Sequence, residues 1–168
     1  MAGPAESVRL RDMTAADVPK VLAVQQPGAV IGLAQVFPQD AYPFPRDVVG
    51  QRWLEEIATP DVDCLVLLHD NDIVGFAAVR ADELKHFGIA LEHWGTGIAR
   101  EGHDAVLERM RTRGVRRAWL RVFVDNKRGR RFYEKLGWRQ TGERSRSGLP
   151  PYPELLHYER DLMHERAS

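Results

Sequence analysis

Apolar positions along the chain follow two periods, and each change of period marks an element. Val8 to Arg11 reads as a first strand, and Thr14 is placed to cap a helix from Ala15 to about Val24. No period emerges between Gln25 and Pro45, where Pro27, Gly28, Phe37, Pro38, Tyr42, Pro43, Phe44 and Pro45 crowd together. That stretch is long for a connection in a compact domain, so it is either a substrate wall or a partly helical connector. From Arg46 to Ala58, Val49, Trp53 and Ile57 recur every fourth residue and predict a helix. Cys64 to Leu68 and Ile73 to Val79 are apolar runs separated by His69-Asp70-Asn71-Asp72, the pattern of a hairpin. Leu84 to Ala90 follows as a further strand. A stripe of Ala99, His103, Val106 and Met110 predicts a helix to about Arg113, ended by Gly114. His103 within that stripe reads as a packed histidine. Arg116 to Val124 alternates, Asn126 to about Leu136 is a short helix stopped by Gly137, and Trp138 to Glu143 pairs with Leu155 to Asp161 as a last hairpin. Residues 1–6 and everything from Leu162 onward read as frayed tails. With no repeat or linker in view, the elements predict one α+β domain over residues 1–168.

Composition adds limits. The 168 residues suffice to bury a core, and 43% hydrophobic with 29% charged residues is ordinary for a water-exposed globular chain. No apolar run is long enough to cross a membrane, and Met1 to Ser7 lacks the features of a signal peptide. The one cysteine, Cys64, lies in an apolar run, which suits a small core residue and a reducing cytoplasm. Net charge is zero but unevenly spread. Residues 1–95 hold 7 Lys/Arg against 14 Asp/Glu, and residues 96–168 hold 17 against 10. A basic half suits a polyanionic ligand and an acidic half a cationic one. Nucleic acid is a rival for the basic half, but no DNA-reading motif or interleaved aromatic-basic stripe accompanies it.

The candidate chemistry begins where the strand to Ala90 meets the helix of Ala99. Trp94-Gly95-Thr96-Gly97-Ile98-Ala99 joins them, and glycines there let the backbone turn sharply and approach a ligand. The unpaired N–H groups of a helix's first turn favour phosphate. A turn alone is the plainer reading of two glycines. A dinucleotide fingerprint needs a third small residue three positions after Gly97, where Arg100 stands, and a following strand-end acid that is missing.

Trp94-Gly95-Thr96-Gly97-Ile98-Ala99 resembles the acyl-CoA pyrophosphate loop of the GNAT superfamily of N-acetyltransferases, (Arg/Gln)-x-x-Gly-x-(Gly/Ala), with Trp94 in place of Arg or Gln. About thirty residues on, Asn126-Lys127-Arg128-Gly129-Arg130-Arg131-Phe132-Tyr133-Glu134-Lys135-Leu136-Gly137-Trp138 resembles the family's Asn-x-x-(Ala/Gly)-x-x-Phe-Tyr-x-x-x-Gly-(Phe/Trp) segment. The order of elements is also that of the GNAT fold. The resemblance implies a central mixed, mostly antiparallel twisted sheet flanked by about four helices.

It further implies acetyl-CoA as co-substrate. The backbone of Phe87 and Ile89 would pair with the pantetheine arm. Gly95, Thr96, Gly97, Ile98 and Ala99 would hold the pyrophosphate, with Trp94 and Arg100 beside them. Asn126 would contact the co-substrate, and Tyr133 would sit beside its sulfur as the acid. Lys127, Arg128, Arg130 and Arg131 are free to meet the nucleotide phosphates. Glu83, at the start of the strand entering the loop, is the first candidate base. His86 is the second, because an imidazole titrates near neutral pH. No His/Cys/Asp cluster has metal-ligand spacing, so no metal is expected. The expected acceptor is a small primary amine (a polyamine, an amino acid or an amine antibiotic), taken up by a monomer or homodimer. A protein N-terminus or lysine is the rival acceptor, and a non-catalytic acyl-CoA-binding module is the rival class.

Overall fold

In the computed structural model, which describes residues 7–163, thirteen elements follow one another. They are β1 (Arg9–Asp12), a 3-10 turn (Ala15–Asp17), α1 (Val18–Gly32), α2 (Arg46–Ile57), β2 (Val62–His69), β3 (Asp72–Arg80) and β4 (Glu83–Ile89). A second 3-10 turn (Leu91–His93), α3 (Ile98–Thr112), β5 (Arg117–Phe123), α4 (Lys127–Lys135), β6 (Arg139–Arg146) and β7 (Glu154–Asp161) complete them. The strands form one open sheet in the order β1-β2-β3-β4-β5-β7-β6, antiparallel except between β4 and β5. The β2–β3 hairpin closes through Asp70 and Asn71 at φ 52 and 66, the left-handed pair that a two-residue turn requires.

Each face of the sheet buries its own core. Val21 and Leu22 of α1 and Trp53 of α2 cover Cys64, Val66, Phe76 and Ala78 on one face. Val106, Leu107 and Met110 of α3 cover Leu65, Leu67, Ala77 and Leu120 on the other, with Tyr133 and Leu136 of α4 at the margin. His103 is fully buried there, as its place in the apolar stripe predicts.

The aperiodic stretch resolves into two parts. Residues up to Gly32 continue α1, although Pro27 sits inside the helix and cannot donate to the carbonyl one turn back. Tertiary packing holds the helix together across that gap, since the Trp94 ring lies 3.6 Å from a Cβ built on Gly28 and 3.1 Å from one built on Gly32. Residues 33–45 form the connector itself. Gln39 organises it, donating to Phe37 O and Tyr42 O and accepting from Phe44 N–H at 3.0 Å.

The expectation of a tail from Leu162 fails at its first residue. Leu162 is fully buried, its N–H donates to Arg116 O at 2.9 Å, and its own carbonyl accepts from Arg111 Nε at 2.9 Å. Residues 1–6 and 164–168 lie outside the described residues. Leu162→Ala is therefore expected to cost about 2–5 kcal/mol, the range for a truncated core leucine. Urea unfolding reads this directly, whereas a frayed residue would change stability by less than about 0.5 kcal/mol.

Two departures from a regular sheet make the site. β4 and β5 run parallel but are registered at one pair, Glu83 with Trp119, next to a bond from Trp119 N–H to Asp82 O. Beyond it the strands part. A β-bulge between Ala78 and Val79 opposite β4 then sets Ala78 against His86 but Val79 against Leu84, leaving Lys85 as the extra residue. Strict alternation would put His86 on the α3 face with Leu84. The bulge turns it instead to the α2 face, while Phe87 and Ile89 return to the α3 side.

Candidate active site

The gap between β4 and β5 is lined by backbone. Ala90 N–H donates to Val74 O at 2.7 Å, which makes Gly75 and Ile89 a non-hydrogen-bonded pair. Ile89, and Phe87 two residues earlier, therefore turn their N–H and C=O groups away from β3 into the gap. The Ile89 carbonyl is taken by Trp94 Nε1–H at 3.0 Å. What remains is a short row of strand-edge groups, able to pair with an extended amide-bearing chain.

At one end of the gap stands the N-terminus of α3. Gly95 and Gly97 have φ +79 and +92, a region that favours glycine, and a Cβ on either would meet nothing within 4 Å. The glycines thus serve the turn and leave the space outside it open. Gly97 is the N-cap and has no side chain to satisfy the first turn, where Ile98 N–H reaches Thr96 Oγ1 only at 3.4 Å. The Thr96 hydroxyl itself donates to His93 O at 2.7 Å. Exposed helix N–H groups with the positive end of a 15-residue helix behind them suit a pyrophosphate.

Cationic side chains stand near. The Arg128 guanidinium lies 4.0 Å over the Trp94 ring, joining the start of α4 to the loop before α3. Arg100 is largely exposed, with its nearest acidic partner, Asp104, at 4.0 Å. Arg130 is not free, contrary to expectation: it donates to Val124 O at 3.1 Å and to the Tyr158 hydroxyl at 3.2 Å. Asn126 caps α4, its Oδ1 accepting from Gly129 N–H at 2.9 Å. A Cβ on Gly129 would come within 2.5 Å of Asn126 Nδ2, so the small residue is what allows the cap.

Tyr133 of α4 sits on the α3 side among rings: Phe132, His103 and Trp138, with centroids 5.2, 6.5 and 6.0 Å away. Its hydroxyl makes no hydrogen bond to another described residue. Burial pushes its pKa well above that of an ordinary phenol, so it stays a proton donor at neutral pH. Beneath it, Trp138 Nε1–H donates to His103 Nε2 at 2.9 Å. The His103 proton is thereby placed on Nδ1, which faces Asp104 Oδ1 at 2.9 Å, and the imidazole serves to fix Trp138 and the ring cluster.

The α2 side carries a different set. Glu83 is mostly covered and lies 3.2 Å from Arg121 Nη2 of β5. His86 packs edge-on against Trp53 at 5.2 Å and faces Glu56 of α2, with Nε2 2.9 Å from Oε1. Lys85 Nζ donates to the other oxygen of Glu56 at 2.8 Å. Glu56 gave no signal in the sequence, being one of two adjacent glutamates on a helix about thirty residues before its partners. Burial would raise its carboxyl pKa, but the hydrogen bonds and charges of His86 and Lys85 bring it down to about 2. Cys64 lies in the same core, and burial together with Glu56 and Asp63 lifts its thiol to about 11, so it is no nucleophile at neutral pH. A depressed carboxylate contributes stability above its unfolded value near 4.5 and loses it as pH falls toward 2. Glu56→Gln is accordingly expected to flatten the acid side of a stability profile between pH 4.5 and 2 in thermal unfolding.

The connector 33–45 reaches this side as well, with Phe37 edge-on to Phe123 of β5 at 5.3 Å. The parted strands thus separate a wall of backbone, helix termini and Tyr133 from a cluster of Glu56, Lys85, His86 and the Trp53 ring.

Residues 30–138 match the model of the acetyltransferase (GNAT) family, and the chain belongs to that family. An uncharacterized N-acetyltransferase of Mycobacterium bovis is 34% identical over 99 residues, 56% of this chain and 64% of the relative. The match thus spans under two thirds of that relative's length. Among solved structures, the PaiA N-acetyltransferase of Thermoplasma acidophilum in complex with coenzyme A superimposes with a TM-score of 0.73 at 17% identity, over 92% of this chain and 99% of that one. The ribosomal-protein-S18-alanine N-acetyltransferase of Escherichia coli gives 0.68 at 15% identity, over 96% and 99%. At such identities the likeness is one of fold.

Proposed function

We propose that the protein transfers the acetyl group of acetyl-CoA directly to a primary amine of a small molecule, both substrates being bound together. The observation that carries this is the two-sided gap: Phe87, Ile89 and the α3 N-terminus supply a cradle for the donor, and His86 and Tyr133 stand on opposite faces of the sheet. The first-turn N–H groups of Ala99 and Arg100, with the open backbone at Gly95 and Gly97 and the charges of Arg100 and Arg128, would hold the pyrophosphate. Phe87 and Ile89 would pair with the pantetheine amides, and the thioester supplies the acetyl group.

An alkylammonium has a pKa of about 10.4 and must lose a proton before its nitrogen can attack. His86 is assigned as the base in preference to Glu83, because its side chain is 40% exposed and its Nδ1 has no hydrogen-bond partner among the described residues, whereas Glu83 is mostly covered and stands 3.2 Å from the Arg121 guanidinium. The Ile89 N–H faces the developing charge on the carbonyl oxygen. Tyr133 would donate a hydrogen bond to the departing sulfur and share its proton with it as the bond breaks. The phenol would recover its proton from solvent, so that the thiol leaves and Tyr133 is neutral again. Connector 33–45, which meets β5 through Phe37 and Phe123, would wall the acceptor side, and this supports the reading of a compact amine over an extended peptide.

The test is release of free thiol from acetyl-CoA over a panel of polyamines, amino acids, amine antibiotics and short peptides. Release with small amines supports the proposal. Release with peptides alone replaces the acceptor by a protein N-terminus or lysine. Binding of acetyl-CoA with no release across the panel would mark an acyl-CoA-binding module instead.

A further inference from the structure

We infer that Glu56 is a positioning residue, which fixes the tautomer of His86 so that Nδ1 is the atom that takes the acceptor's proton, and that Lys85 limits how strongly Glu56 holds the imidazolium. The inference rests on His86 being the base.

The chemistry of the three side chains dictates the arrangement. Glu56 is ionised and can only accept. Lys85 Nζ occupies Oε2 at 2.8 Å, and His86 Nε2 lies 2.9 Å from Oε1. The Nε2 atom must therefore carry a hydrogen, and in the neutral ring the lone pair is left on Nδ1. Nδ1 has no hydrogen-bond partner among the described residues, and the His86 side chain is 40% exposed. The basic atom is thus the one directed away from the ion cluster.

A carboxylate alone on an imidazole favours the protonated ring, and a base that is already protonated cannot act. Lys85 opposes this. The bulge in β4 is what turns His86 to the same side as Lys85, so a single irregularity brings together the base and the cation that restrains it. The other groups facing this cluster change it little. Trp53 of α2 is neutral, Cys64 of β2 is a thiol at neutral pH, and Glu83 is matched by Arg121 of β5.

The test combines pH profiles with the tautomer itself. In the wild type, kcat/KM for a small amine should fall on an acidic limb, and His86→Gln should lower it by roughly 100-fold and remove that limb. Glu56→Gln should shift the limb to lower pH and reduce kcat by roughly tenfold, with acetyl-CoA affinity unchanged. Lys85→Met should shift the limb to higher pH. Long-range proton–nitrogen spectra of the unliganded wild type, with His86 assigned by its absence in His86→Gln, should show the Nε2–H tautomer. An Nδ1–H tautomer, or limbs that stay in place in both Glu56→Gln and Lys85→Met while His86→Gln keeps its effect, overturns the inference alone. A His86→Gln variant with full activity removes His86 as the base.

Discussion

Tyr133→Phe is expected to lower kcat by about 100-fold and leave the affinity for acetyl-CoA nearly unchanged. The ring is retained, so its packing against Phe132, His103 and Trp138 survives and α4 keeps its place. What is lost is one hydroxyl that burial keeps protonated and that no described residue engages. Loss of a positioned proton donor costs about 10²–10⁴-fold. The lower end applies because a thiolate of pKa about 8.5 is a tolerable leaving group without help. Steady-state kinetics with calorimetric acetyl-CoA binding separates the two quantities. A kcat within twofold of wild type would show that Tyr133 is not the acid.

Gly97→Glu is expected to weaken acetyl-CoA binding by more than about 100-fold. Two effects act together. The residue sits at φ +92, where a side chain is strained by roughly 1–2 kcal/mol. A carboxylate at this point would also stand against the positive end of α3 where the pyrophosphate is held, replacing attraction by repulsion. Gly97→Asn controls for the backbone, since asparagine tolerates the left-handed region without adding charge. It should keep most of the affinity, with thermal unfolding confirming that both variants fold. Unchanged binding in Gly97→Glu would remove this loop from the site.

The order of elements was legible because nearly every one has its own period or breaker. Two motifs lie where those elements join, and the backbone accounts for their small residues: Gly95 and Gly97 adopt positive φ, and Gly129 makes room for the Asn126 cap. Three features were not legible, each for a tertiary reason. The extension of α1 through Pro27 depends on Trp94 packing from a distant loop, which local propensity does not register. Leu162 reads with Met163 as a short apolar pair in a charged terminus, and only its burial and the Arg116 and Arg111 contacts show it to be part of the core. The partnership of Glu56 with Lys85 and His86 depends on a one-residue bulge. Strict alternation sends Lys85 and His86 to opposite faces, so no count along the strand could bring them together.

The most direct measurement is a crystal structure of the protein with coenzyme A. The account predicts the pantetheine arm between β4 and β5, its amides paired with Phe87 and Ile89, and the pyrophosphate on the first turn of α3. It places the sulfur within hydrogen-bonding reach of the Tyr133 hydroxyl. Coenzyme A bound away from the gap, or in the gap with its sulfur distant from both Tyr133 and His86, would contradict it.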